Sequence, residues 1–313
     1  MPMNRIQFQP GLSMPEFLEL YGNEDKCETA LAQARWPDGF ICTGCGCRGH
    51  CLLPSRPRLT FQCNHCHRQT SVIAGTLFQG SNLPLTTWFL AIYWISQAKT
   101  GLSALALKRL LGVSYRTAWL VHHKLVQAMV ERDDRYRLSG NVQVDDAYLG
   151  GENPGGKAGR GSENKVPFVA AVALDEGGHP SRIKLTPVAA FTLAAIKGWA
   201  TECLEAGCVV RSDGLACFGG VSAAGCAHDP VVVGGRKPSE LPEFRWVNTI
   251  LGNVKTSLSG AYHAFKFAKY AYRYLAAIAY RFNRRLYLKS LPQRLLLASA
   301  SIGPRPERWL RLA

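Results

Sequence analysis

Two stretches decide the fold of the larger part of the chain: VQVDDAYLG at 142–150 and CVVRSD at 208–213. Each contains a short apolar run, rich in valine, that ends in aspartate. Between them lie KVPFVAAVAL at 165–174, SRIKLTPV at 181–188 and an apolar helical segment at 193–204. Three strands of antiparallel type, a crossover helix, another strand and then long helices predict an α/β fold, in which flanking helices cover a mixed sheet.

The aspartates at the ends of these strands are candidate metal ligands. Asp145 and Asp146 follow the first apolar run, and Asp213 follows the second. Carboxylates at the ends of adjacent strands suit a pair of Mg²⁺ or Mn²⁺ ions, which can clamp the attacking and leaving oxygens of a phosphodiester. Successive side chains of a strand point to opposite faces, so the sequence leaves open whether Asp145 or Asp146 is the ligand.

The composition favours a polyanionic partner. The 313 residues include 37 Lys and Arg against 22 Asp and Glu, which gives a formal net charge of +15. With 47% hydrophobic residues the composition is that of a folded chain, and global disorder is excluded. The longest apolar run, 88–95, is much shorter than the ~20 residues that span a bilayer, and residues 1–10 lack the apolar core of a signal peptide. We expect neither secretion nor membrane insertion.

A cysteine-rich block at 36–73 has the spacing of a zinc ribbon. Cys42 and Cys45 form one CxxC pair, and Cys63 and Cys66 form a second, with 17 residues between the pairs. Each pair places two thiolates on one turn, and two such turns complete a tetrahedral Zn²⁺ site. Nearby residues that compete as ligands are Cys47, His50, Cys51, His65 and His67. The alternatives are buried free thiols and redox chemistry; metal ligation favours a reducing compartment.

The block at 84–135 has helical periodicity, with capping and turn residues at the positions expected for a helix-turn-helix. Ser103 can cap one helix, Gly112 makes the turn, and Ser114 can cap a second helix. The first turns of that second helix offer polar and basic side chains to a DNA groove. The residues predicted to contact DNA are Tyr115, Arg116, Thr117 and Lys124. The alternative is an ordinary helical hairpin, because short matches of this kind also arise by chance.

The glycine-rich segment at 151–161 imitates a nucleotide-binding loop. It satisfies GxxxxGK, but Ala158 stands where a P-loop has its Mg²⁺-binding Ser or Thr. We therefore exclude nucleotide binding. A basic loop suits phosphate contact better, and Lys157 and Arg160 are predicted to contact DNA.

The last long helix, predicted over 261–285, combines a core stripe with a basic flank. Apolar residues recur at three- and four-residue spacing from Phe265 to Phe282. The basic residues beside this stripe are Lys266, Lys269 and Arg273. We predict that they run along the DNA backbone, which gives affinity without sequence information; a plain solvated face is the alternative.

Short motifs that occur in order along nearly the whole chain identify a family resemblance. They are WPDGF at 36–40, QTS at 69–71, GTLF at 75–78, WFLAI at 88–92, LGVSY at 111–115, TAW at 117–119, VD at 144–145, YLGG at 148–151, SDG at 212–214, VNT at 247–249, GAYH at 260–263 and FNRR at 282–285. With these motifs the sequence resembles the DDE-type transposases of bacterial insertion sequences. The resemblance is to the ISXO2-like group, which has an N-terminal zinc ribbon and an RNase H-like core.

The resemblance implies a set of catalytic residues. The family pattern has one Asp after the apolar strand, a second before Gly, and a third acidic residue followed seven positions later by Lys. These positions correspond to Asp145, Asp213, Asn248 and Lys255, so a neutral amide replaces a carboxylate. The amide oxygen can still coordinate Mg²⁺, but it adds no charge and holds the second ion more weakly. Glu243 is an alternative third carboxylate.

Lys255 is seven residues, nearly two helical turns, from Asn248, so both project from one helix face. The ammonium group can therefore reach a DNA phosphate beside the metals. The alternative is a solvated helix lysine.

The activity that the resemblance implies is metal-dependent strand cleavage at the ends of an insertion sequence and strand transfer into target DNA. Its cofactors are structural Zn²⁺ and catalytic Mg²⁺ or Mn²⁺. Its partners are the terminal inverted repeats, target DNA and further copies of the chain in a synaptic complex, in the bacterial cytoplasm and on the nucleoid. Two alternatives remain, a decayed or repurposed transposase that only binds DNA and a structure-selective nuclease.

The predicted organisation has five parts. They are an N-terminal helical segment at 1–35, the zinc ribbon at 36–73, the helix-turn-helix domain at 84–135, the RNase H-like catalytic domain at 140–290 and a C-terminal tail at 291–313.

Overall fold

A computed structural model describes residues 6, 8–150, 165–232, 234–236, 240–262 and 265–312. The chain divides into two compact units. The first comprises Met1–Met129 together with Leu286–Ala313, and the second comprises Val130–Arg285. The predicted DNA contacts Lys157 and Arg160 lie outside the described residues.

The first unit begins with two helices. Helix α1 covers Met14–Tyr21, and Ser13 and Glu16 form a capping box at its start. Helix α2 covers Glu24–Arg35. The sequence predicts helix throughout this segment, but it breaks at Gly22 because the Asn23 side chain caps a new helix by accepting from the Lys26 amide.

A small antiparallel sheet follows. Its strands are β1 at His50–Leu52, β2 at Thr60–Cys63 and β3 at Gln69–Ser71, with β2 in the centre. The buried core of this ribbon consists of only Phe40, Cys42, Phe61 and Cys63, with the two phenylalanine rings stacked 4.9 Å apart between centroids. A core of this size needs additional stabilisation, such as a structural metal ion or disulfide bonds.

The remaining helices of the first unit include two that begin or end at the predicted capping and turn residues Ser103, Gly112 and Ser114. These remaining helices are α3 at Leu85–Gln97, α4 at Ala104–Leu111, α5 at Tyr115–Asp133, of which the last four residues belong to the second unit, α9 at Leu291–Ala300 and α10 at Glu307–Leu312. Ser103 caps α4 by accepting from the Ala106 amide, and Gly112 ends it at a φ of +65°, where a side chain would be strained. Ser114 accepts from the Thr117 amide at the start of α5. Helix α9 packs against α2 and α3.

The second unit contains a five-stranded mixed sheet. Its strands are β4 at Asn141–Leu149, β5 at Val166–Leu174, β6 at Pro180–Pro187, β7 at Val209–Ser212 and β8 at Ala227–Pro230. The order across the sheet is β6-β5-β4-β7-β8. Strands β4, β5 and β6 pair antiparallel, whereas β7 pairs parallel with both β4 and β8. The crossover helix α6, at Leu193–Cys203, makes the parallel β4–β7 pairing possible.

Helices cover both faces of this sheet. One face, with Val142 and Val144, packs against α6 and the 3-10 helix at Ala216–Ala224. The other packs against α7, Arg245–Ala261, and α8, Phe267–Asn283. This arrangement, preceded by the ribbon, confirms the predicted α/β fold class with a mixed sheet and flanking helices. Within the described part of the chain, no helix is long and apolar enough to cross a membrane.

Candidate functional site: a cysteine cluster and a carboxylate cluster

Four cysteine sulfurs meet in the ribbon. Cys42, Cys45, Cys63 and Cys66 have their Sγ atoms within 4.8 Å of one another. The Cys42–Cys66 and Cys45–Cys63 sulfur pairs are each 3.5 Å apart. Ligands ~2.3 Å from a tetrahedral Zn²⁺ lie ~3.8 Å from each other, so the cluster fits zinc. Hydrogen bonds from the backbone amides of Cys66 and Gly44 lower the pKa of the Cys63 and Cys42 thiols, respectively, which favours the thiolate at these two positions. The Cys47 amide lowers the pKa of the Cys45 thiol, but the neighbouring sulfurs raise it to about 12, so that this thiol must lose its proton when a metal binds.

Two of the competing ligands, His50 and Cys47, make other contacts. The His50 ring nitrogen Nδ1 lies 2.9 Å from the Arg48 carbonyl oxygen, and its ring packs against Phe40 and Phe61. The Cys47 sulfur is directed to the Gly49 carbonyl oxygen at 4.0 Å. Among the described residues, the sulfurs that come together are those of the two CxxC pairs, and this supports the predicted ligand set.

Three carboxylates meet at the end of the central strands. Asp145, Asp146 and Asp213 are half-buried and have carboxylate oxygens within 4.8 Å of one another. The ladder between β4 and β7 ends at the pair Gln143–Arg211. Asp145 lies two residues further along β4, and Asp213 directly follows the last residue of β7. The carboxylate of the neighbouring Asp146 also belongs to the group. This spacing of oxygens fits a divalent cation, and Glu243 is not part of the group.

A tight turn holds Asp213. Its Oδ1 accepts from the Leu215 amide at 3.1 Å, and Gly214 adopts a φ of +85°, a conformation that disfavours any side chain. The preceding Ser212 is fully buried, with its hydroxyl 2.9 Å from Nε2 of His228 on β8. Burial lowers the pKa of His228, so the neutral ring is favoured. The contact of His228 on β8 with Ser212 therefore stabilises the turn that contains Asp213.

Helix α7 lies on the same sheet face as Asp145. Gln143, two residues before Asp145 in β4, accepts from the amides of Trp246 and Val247 at 3.2 and 3.1 Å through its Oε1. The buried Gln143 side chain thus caps α7, which has no cap from its own residue Phe244. Asn248 follows directly in the first turns of the helix and is exposed, as is Lys255. Gln143 was not predicted as a site residue, although a glutamine inside a valine-rich strand was a usable signal.

Replacing Gln143 with Met tests this cap. The variant keeps the side-chain volume but removes the acceptor, which leaves two amides unpaired at a buried helix end. We expect the free energy of unfolding in urea to fall by about 1–3 kcal/mol. An unchanged free energy of unfolding would show that the cap does not stabilise α7.

The predicted DNA contacts of α5 differ in exposure. Tyr115 is 52% exposed, and 79% of the Arg116 side chain is accessible, whereas Thr117 is half-buried. Lys124 is only 7% exposed and its ammonium donates to the Leu77 carbonyl at 3.4 Å. Burial also lowers its pKa. The structure therefore argues against Lys124 as a phosphate contact, because further along α5 the helix face has turned inward.

The basic flank predicted for the last helix is also partly internal. Helix α8 starts at Phe267, later than expected, and Lys266 precedes it as an exposed residue, with Lys269 half-buried. Arg273 is 0% exposed, and burial lowers its pKa. Its guanidinium lies 5.1 Å from the ring centre of Tyr272, which makes Arg273 a core residue and argues against DNA contact.

A ribbon with four cysteines, followed by a mixed sheet that ends in a carboxylate cluster, defines an α/β protein with two candidate metal sites. Sequence comparison shows which known domains these regions resemble. The ISXO2-like transposase domain matches residues 137–283, which contain the sheet and the carboxylates, and the transposase zinc-ribbon domain matches residues 22–69. The chain thus contains regions similar to both transposase domains, and the predicted resemblance is confirmed.

A relative from a mobile element was also found. An "uncharacterized protein in transposable element ISH50" of Halobacterium salinarum is 28% identical over 135 residues. The match covers 42% of this chain and 44% of that protein, so it spans less than half the length of either.

Proposed function

We propose that the protein is a DNA transposase that cuts the ends of an insertion sequence and joins them to target DNA. The observation that carries the proposal is the carboxylate cluster of Asp145, Asp146 and Asp213 within the region matched by the transposase domain. The net charge of +15 supports a nucleic-acid substrate.

The three aspartates would hold Mg²⁺ or Mn²⁺. When bound, the ions supply Lewis-acid stabilisation of the phosphodiester oxygens and activation of the attacking oxygen. Asp145 and Asp213 are the proposed ligands of the family pattern, and Asp146 adds the charge that Asn248 lacks. Asn248 would contribute its amide oxygen from α7, and Lys255 would orient a DNA phosphate.

Recognition of DNA is proposed for the zinc ribbon and the helix-turn-helix. Tyr115, Arg116 and Thr117 at the start of α5 would contact the terminal inverted repeats. Backbone contacts are proposed for Lys157, Arg160, Lys266 and Lys269. Bringing two ends together requires a multimer of the chain, acting in the cytoplasm.

Purified zinc-loaded protein, incubated with DNA that carries the sequence flanking its own gene, tests the proposal. In Mg²⁺ or Mn²⁺ we expect cuts at the boundaries of the terminal repeats. Equal cutting of DNA without these repeats would contradict a transposase and favour a structure-selective nuclease.

The second candidate is a transposase-derived protein that binds DNA without cutting it. The neutral Asn248 at the third position of the family pattern favours this alternative. Binding to the flanking DNA with no cut in either metal would establish it.

The variant Asn248→Asp tests whether residue 248 faces the metal. An added carboxylate should strengthen divalent binding, so we expect cleavage to reach half its maximal rate at roughly tenfold lower Mg²⁺. Asn253→Asp is the matched control, since Asn253 is exposed on the same helix but is turned by about 140° from residue 248. Equal Mg²⁺ dependence of both variants would remove residue 248 from the site.

A further inference from the structure

The C-terminal helix α10 contacts the start of α5. Glu307 binds two arginines: its Oε2 accepts from Arg116 at 3.0 Å, and its Oε1 accepts from Arg311 at 2.9 Å. The Arg311 guanidinium lies 4.2 Å from the ring centre of Trp119, one turn after Arg116 on α5. Leu310 is fully buried and anchors α10. These contacts join segments 191 residues apart within the first unit.

This arrangement adds positive charge to the exposed first turn of α5. Arg308 and Arg311 are exposed on α10, and Arg305 lies half-buried just before it. Arg116 and Arg311 contact the carboxylate of Glu307, and Arg305 and Arg308 are within two residues of Glu307 in the sequence. Arg116 keeps 79% of its side chain accessible although it is bound to Glu307, so α10 lies beside this side chain without covering it.

We propose that α10 is part of the DNA-binding surface, and that Arg308 and Arg311 contact the phosphate backbone next to the groove that receives α5. The proposal rests on the proposed function, in that α5 is taken as the helix that enters DNA. Glu307 acts as a positioning residue that fixes the directions of Arg116 and Arg311. Guanidinium groups suit this role because their planar forks match phosphate oxygens.

The chemistry favours a phosphate backbone over base edges. The arginines of α10 stand on a separate helix from the one proposed to read bases, and backbone contacts position a protein without reading sequence. Replacing these arginines should therefore weaken binding to specific and unrelated duplexes by the same factor.

The salt dependence of binding by the full-length protein tests the proposal. Affinities for a duplex with the gene-flanking sequence and for an unrelated duplex are measured across a salt series. For Arg308→Gln/Arg311→Gln we expect weaker binding to both, and a slope of log K against log salt that is shallower by about 0.9 for each phosphate that the variant no longer neutralises. Arg308→Lys/Arg311→Lys keeps the charge and should retain the slope.

Arg294→Gln is the matched control, because Arg294 is exposed on α9 of the same C-terminal segment. An unchanged slope in the double Gln variant, with normal binding by the wild type, would overturn the proposed role of α10 and leave the proposed function of the protein standing. Tighter DNA binding by that variant would also overturn the role of α10, because it would show that α10 hinders DNA binding. Failure of the wild type to bind either duplex would refute the proposed function and this inference together.

Discussion

Asp213→Asn should reduce strand cleavage at least ~1000-fold while leaving DNA binding intact. The substitution is isosteric, and its amide oxygen can still accept from the Leu215 amide, so the turn after β7 should persist. It removes one negative charge from a cluster in which three carboxylates lie within 4.8 Å. The affinity for a divalent cation depends on that charge. Cleavage and binding are measured on the same end-containing duplex.

Asp229→Asn is the control for this variant. Asp229 is on the neighbouring strand β8, pairs with Arg211 and does not belong to the carboxylate cluster. We expect it to retain cleavage. Residual cleavage by Asp213→Asn at the wild-type rate would remove Asp213 from the catalytic site.

The second large effect is expected at the zinc ribbon. Cys63→Ser removes one of four thiolates, and structural zinc contributes about 10 kcal/mol or more to the folding of small zinc domains. Two of the four buried residues of the ribbon core are themselves ligands, so little apolar packing remains without the metal. We expect loss of bound zinc and loss of amide-exchange protection in β2 and β3, with the sheet of the second unit still protected.

Cys51→Ser serves as the comparison, since the Cys51 side chain is exposed on β1 and outside the cluster. It should bind one zinc per chain and keep its protection. Full protection of β2 and β3 in zinc-free Cys63→Ser would contradict a structural role for the metal.

Elements with a clear local pattern were predictable from the sequence. The apolar runs that become β4, β5 and β7 are valine- and alanine-rich and end at turn residues, and Ser103, Gly112 and Ser114 mark real helix ends. Strand β8, with the sequence AHDP, has no such pattern, and pairing with β7 alone makes it a strand. Its existence depends on a neighbouring strand that comes earlier in the chain.

The candidate site was predictable in its residue types and less so in its geometry. The alternation of side chains along β4 suggested a choice between Asp145 and Asp146, but in the structure both carboxylates lie within 4.8 Å of that of Asp213. The sequence pattern also placed Lys124 and Arg273 wrongly on the protein surface. Their helices, α5 and α8, are buried on more than one face, so a basic residue can lie inside. The contact between Glu307 and Arg116 joins distant segments and leaves no local signal.

Sequencing the joints made in a strand-transfer reaction tests the central claim most directly. Wild-type protein is incubated in Mg²⁺ with a duplex that ends in the element's terminal repeat and with a circular target plasmid. We expect the 3′ end of the repeat to become joined to the target strand, and the Asp213→Asn variant to produce no joints. Cut repeat ends without any joint to the plasmid would contradict a transposase and leave only a nuclease.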